Sequence, residues 1–169
     1  MNARAVAVVM AVALTVALLG CSNSGVAPVL EDTRATEPDA PAAVAIGRQA
    51  WSGDWAIVVT RVQRKSTLEE ATADNGNELL VVHVDIRNGG TDPGDVLASS
   101  FNLTDETGTE LDTVKLKSKE YLSDRPEVFK SGTKREVAVV YRVPKGGGPF
   151  IFRFWAPGRN APAAIVAIR

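Results

Sequence analysis

Glu78-Leu79-Leu80-Val81-Val82-His83-Val84-Asp85-Ile86-Arg87-Asn88 decides the fold class. Leu80, Val82, Val84 and Ile86 fall on one face of an extended chain. Leu79, Val81, His83, Asp85 and Arg87 fall on the other, which turns polar toward the end of the strand. A period of two with one apolar face is the mark of a strand lying on a core. The same period recurs on both sides. Trp55, Ile57 and Val59 alternate upstream; Phe101 and Leu103, then Val137, Val139, Tyr141 and Val143, alternate downstream. Phe150, Phe152 and Phe154 follow, and Ala164, Val166 and Ile168 close the chain.

Turn chemistry separates these runs. Residues 88–95, Asn-Gly-Gly-Thr-Asp-Pro-Gly-Asp, are dense in turn formers. Asp105-Glu106-Thr107-Gly108 leads into a further segment from Leu111 to Leu116, and Pro144 to Pro149 is glycine-rich. Residues 115–129 carry the weakest pattern and read as a loop. No amphipathic helix stands out. The sum is seven to eight strands, an all-β, antiparallel, Ig-like β-sandwich over residues 47–169, with a small closed barrel as the alternative. The chain holds one cysteine, so no internal disulfide supports it and apolar packing must suffice. At roughly 120 residues that section is large enough.

The order of motifs carries a resemblance. The strand ending in Asn88, then Phe101-Asn102-Leu103-Thr104-Asp105 with Gly108, then Ser131-Gly132 ahead of Val137 to Pro144, resembles the telokin-like, Ig-fold family known as domain of unknown function 4352, seen in many bacterial lipoproteins. It is similar in architecture to the mycobacterial secreted immunoprotective antigen. The resemblance spans about 110 residues. It implies a fold and a cell-surface setting, and carries over no catalytic residue.

The first 46 residues differ in kind. Met1 to Arg4 is short and positive, and Ala5 to Leu19 is apolar apart from Thr15. As a helix this run would reach roughly 22 Å, short of a hydrocarbon core of roughly 30 Å. It therefore reads as the apolar region of an export signal, residues 1–20. The run ends in Leu18-Leu19-Gly20-Cys21, which resembles the lipobox of bacterial lipoproteins at all four positions. The resemblance implies cleavage between Gly20 and Cys21, an S-diacylglycerol and an N-acyl group on Cys21, and a lipid-anchored protein on the extracytoplasmic face of the cell membrane. Two acyl chains hold stably where one holds marginally. Residues 21–46 then form the lipidated N-terminus and a flexible linker, with three of the nine prolines and few large apolar residues. Such a linker would reach roughly 25–30 Å.

Charge excludes one class of partner. Loss of Arg4 from 19 basic residues leaves 18 against 20 acidic, a net charge of −2. That gives no reason to expect nucleic-acid binding. His83, the sole histidine, has no nucleophile and acid at a spacing that suggests a triad. Asp92, Asp95, Asp105, Glu106, Glu110 and Asp112 cluster at turns, where Asp bonds its own backbone; no EF-hand spacing is present, so they read as turn formers before calcium ligands. Gly146-Gly147-Gly148 lies between strands with no helix behind it, so it reads as a hairpin loop and not a phosphate cradle. Lys115, Lys117, Lys119, Lys130, Lys134 and Arg135 make 115–135 locally basic, a solvated edge or a contact for anionic lipid or wall polymer. Trp51, Trp55 and Trp155 read as core or core-edge, with an exposed patch for glycan or peptide as the alternative. The sequon Asn102-Leu103-Thr104 is uninformative behind a lipobox.

The expected function is a non-enzymatic binding or interaction module, membrane-anchored through Cys21, with no cofactor and no catalytic or metal residues. The alternative is a structural or accessory envelope lipoprotein without a ligand of its own. The loops to watch are 65–77, 88–100 and 115–132.

Overall fold

The computed structural model describes residues 41–158 and 160–169. The expected signal segment, Cys21 and most of the linker lie outside the described residues. The described residues belong to one compact unit. Its buried hydrophobic residues run from Ala50 to Ile168, so the unit carries its own core and can fold alone.

Twelve strands follow in order: β1 (Val44–Ala45), β2 (Gln49–Ser52), β3 (Trp55–Lys65), β4 (Thr67–Leu68), β5 (Ala71–Thr72), β6 (Asn77–Asn88), β7 (Gly94–Val96), β8 (Phe101–Thr104), β9 (Glu127–Phe129), β10 (Lys134–Pro144), β11 (Phe150–Phe154) and β12 (Ala164–Ile168). Eight of them build two four-stranded sheets. The front sheet runs β1-β12-β11-β8 and the back sheet β10-β6-β3-β2. Strands β4 and β5 form a small ribbon, as do β7 and β9. This is the antiparallel Ig-like β-sandwich that the alternation predicts.

The inner faces follow the expected residues. Ile57, Val59, Leu80, Val82, Val84, Val139 and Tyr141 of the back sheet meet Phe101, Leu103, Phe152, Phe154 and Val166 of the front. Phe101 stacks on Phe152 at 5.3 Å, and Trp55 meets Phe129 edge-on at 5.9 Å. Such pairs add about 0.5–1.5 kcal/mol beyond their burial.

Three expectations need correction. Strand β1 lies within the stretch assigned to the linker; it pairs in parallel with β12, and Val44 packs on the core. Two residues are too few to show a period. Residues 111–116 form no strand: Thr113 makes only an isolated bridge to Tyr141. Finally, β6 is buried on both faces along its first half. Leu79 and Val81 form a second cluster with Leu68, Leu116, Ala138 and Val140. The cover comes from residues 112–124, which overlap the 115–129 stretch expected as a loop and strap across the outer face. The strap also caps the free edge of β10: the amides of Val114 and Leu122 donate to the carbonyls of Val140 and Ala138, and the amide of Arg142 donates to Asp112 O. A covered edge cannot pair with another chain.

Candidate functional site

A β-bulge positions the most unusual side chains. In β3 the register against β6 shifts between Val59 and Arg61. Strict alternation from Ile57 and Val59 would send Arg61 inward. The extra residue, Thr60, reverses the phase, so Val62 packs on the core and Arg61 lies directly opposite His83 on the outer face.

His83 is half-buried there among three polar partners. Nδ1 lies 3.3 Å from Glu136 Oε1, and Nε2 lies 3.3 Å from Gln63 Oε1. Arg61 Nη2 lies 3.2 Å from Nε2 and 3.3 Å from Nδ1. Loss of solvent lowers the His83 pKa from its usual value; the Arg61 charge lowers it further, and Glu136 opposes both. The ring is therefore neutral near pH 7, and the Glu136 contact is a hydrogen bond from a neutral ring and not an ion pair. Glu136 and Arg61 fit one tautomer, in which Nδ1–H donates to Glu136 and Nε2 accepts from Arg61; Gln63 Oε1, itself an acceptor, then takes no hydrogen from Nε2. None of the three is a nucleophile. The nearby hydroxyl of Thr60 donates instead to the His83 backbone carbonyl.

Beside this hollow lies a larger one. His83, Arg61, Glu136 and Tyr121 line a depression of about 270 Å³. Tyr121 also lines a groove of about 770 Å³ in the strap, together with Lys115, Lys117, Lys119 and Arg125. Burial raises the Tyr121 pKa, so its hydroxyl stays protonated.

The remaining sequence candidates fall elsewhere and hold the fold. Asp105 Oδ1 accepts from the amides of Thr107 and Thr109, both at 2.9 Å, and from the Thr107 hydroxyl at 2.7 Å. The Thr107 hydroxyl bond leads in lowering the Asp105 pKa. Gly108 completes this turn at a φ of 85°, which favours glycine. The Asp105 carboxylate is thus a turn former. Among the described residues no group of three or more His, Cys, Asp or Glu could hold a metal ion. The glycine-rich turn is tied down: Glu78 Oε1 accepts from the Gly146 amide at 2.9 Å, and Arg64 donates to Gly147 O at 2.6 Å. The Gly146 amide thus bonds a carboxylate of the chain itself. The three tryptophans separate. Trp55 is buried, whereas Trp51 and Trp155 are 54% and 41% exposed, so the three do not form a single patch.

Asn88 was legible only as the end of a strand, yet it is the best-connected polar side chain of the core. It is fully buried. Its Nδ2 donates to Asp92 O at 2.8 Å and to Phe129 O at 3.0 Å, while Oδ1 accepts from the Gly90 amide at 2.9 Å. It joins the 88–95 turn to β9. Gly89 beside it has no room for a side chain, because a Cβ there would meet Asp54 O at 2.6 Å. Ser52, also fully buried, accepts from the Ala156 amide at 3.0 Å and links the two sheets.

Sandwich, strap and outer-face site define an all-β domain with a solid core and its irregular chemistry on one sheet face. The chain belongs to the family described as domain of unknown function (DUF4352), whose model matches residues 44–156. No curated protein matches it. Among solved structures it is similar to a candidate lipoprotein (ycdA) of Bacillus subtilis, with a TM-score of 0.60 and 17% identity; the match covers 70% of this chain and 38% of that longer one. It is also similar to the yjhA protein of Bacillus subtilis, with a TM-score of 0.59 and 15% identity over 75% of this chain and 99% of that one. A functionally unknown protein from Listeria monocytogenes matches at a TM-score of 0.52 and 9% identity, over 75% and 85% of the two chains. These likenesses concern the fold. Among the described residues no helix is long and apolar enough to cross a membrane.

Proposed function

We propose that this protein is a lipid-anchored, extracytoplasmic binding module that works without catalysis. The observation that carries the binding half is the outer face of the back sheet. There Arg61, Gln63 and Glu136 converge on the His83 ring, and none of these three partners is a nucleophile. Such a face can recognise a partner by charge and hydrogen bonding. The anchoring half rests on Leu18-Leu19-Gly20-Cys21 and on the fold shared with a candidate lipoprotein. Diacylglycerol on Cys21 would tether the domain close to the membrane and raise its effective concentration toward any partner in the envelope.

Mass spectrometry of the N-terminal peptide from cells tests the anchor. The expected result is an acylated Cys21 with residues 1–20 removed, and a Cys21→Ser chain that loses the lipid and the processing while its β-domain still folds. An unmodified Cys21 on the native peptide refutes the anchor.

A further inference from the structure

We propose that the groove in the strap binds a linear anionic polymer bearing phosphodiester groups. This deepens the binding-module reading and rests on it. The first observation is charge against background. The whole chain is slightly acidic, with 19 basic and 20 acidic residues. The groove reverses that sign: Lys115, Lys117, Lys119 and Arg125 stand against Asp124 and Glu127.

The second observation is that the groove is held in shape. Leu116 is buried in the outer cluster and Leu122 in the main core, so both arms of the strap are pinned. Lys115 Nζ closes the span with a contact of 2.5 Å to Asp124. A recognition surface that needs little ordering gains affinity by avoiding that entropy loss.

The third observation is the donor set. Ser118 Oγ accepts from the Glu120 amide and Ser123 Oγ from the Arg125 amide. Each hydroxyl hydrogen is thereby left to donate into the groove that both serines line. Residues 117–120 bend and turn, so Lys115, Lys117 and Lys119 do not keep the regular spacing of a strand, and a flexible phosphodiester chain can adapt to them. Lysine is a point charge that sets no planar geometry, which suits phosphates on a flexible chain. The concavity, about 770 Å³, exceeds a single phosphate and favours a chain over a flat bilayer surface.

The test uses residues 36–169, which contain the compact unit, with long-chain inorganic polyphosphate as the probe polymer. Fluorescence anisotropy at several salt concentrations compares wild type with Lys115→Gln/Lys117→Gln/Lys119→Gln. The triple variant is expected to keep its melting temperature and to bind at least about tenfold more weakly. Its slope of log affinity against log salt should fall by about 1.4, since Lys117 and Lys119 each release roughly 0.7 of a counterion while Lys115 is engaged by Asp124. The control Lys65→Gln/Lys145→Gln should bind as wild type does. Absence of polyphosphate binding at low salt overturns the proposal, as does equal weakening in the control. Tighter binding to phosphatidylglycerol vesicles than to the polymer, lost in the triple variant, overturns it in favour of a lipid surface. None of these outcomes depends on acylation of Cys21, so a failed groove and a failed anchor are distinguishable.

Discussion

Replacing Asn88 with aspartate changes one atom of the core and removes two hydrogen bonds. The side chain is fully buried, and its two amide hydrogens point at Asp92 O and Phe129 O, at 2.8 and 3.0 Å. A carboxylate would keep the bond from the Gly90 amide but set oxygen against oxygen at the other two positions. The Asp92 carbonyl is partly accessible and can find water; the Phe129 carbonyl is buried. Each buried polar group left unpaired costs about 1–3 kcal/mol, and the buried charge adds to that. A loss of about 3–5 kcal/mol at pH 7 follows, a large share of the 5–15 kcal/mol typical of a domain. Asn88→Ala should lose about as much, through a small void and an unpaired Gly90 amide. The two variants separate with pH. The introduced carboxyl would have its pKa raised in the folded state, so Asn88→Asp should recover stability as pH falls toward 5, whereas Asn88→Ala should not. Urea unfolding followed by tryptophan fluorescence suits the assay, because Trp55 is buried and pairs in register with Asn88. If Asn88→Asp lies within about 1 kcal/mol of wild type at pH 7, the account of this node is wrong.

Two further outcomes test other parts of the structure. The Tyr141 hydroxyl is buried with no hydrogen-bond partner among the described residues, and burial drives its pKa far above the usual value. Tyr141→Phe should therefore leave stability unchanged or raise it by about 1 kcal/mol in the same urea assay; a clear loss would mean that the hydroxyl is bonded. His83 has a folded pKa below its unfolded value, so the unfolded chain binds the proton more readily, and stability present above about pH 6.5 should decline as pH falls below it. NMR titration should place the imidazole below 6.5, and His83→Gln should flatten the pH dependence of melting over that window; an imidazole titrating above 6.5 would contradict the Arg61 and burial effects.

Alternation made the sandwich legible because a strand with one face on a core repeats every two residues, and the Leu80 to Ile86 and Phe150 to Phe154 series carry that repeat without interruption. The same logic misplaced what breaks the period. The bulge at Thr60 adds one residue and no sequence signal, yet it alone brings Arg61 to His83. Leu79 and Val81 looked half-exposed because the residues that cover them, Leu116 among them, come from a distant irregular segment.

Local chemistry therefore determined the class of fold, the turn role of Asp105, and the readings placed on Cys21 and the tether, since each depends on near neighbours in the chain. Tertiary structure decided the rest: the strap over the back sheet, the buried bonds of Asn88 to Phe129, the hollow around His83 and the pinned basic groove. All four depend on segments far apart in sequence meeting at hydrogen-bond or van der Waals distance, and a one-dimensional pattern holds no record of those distances.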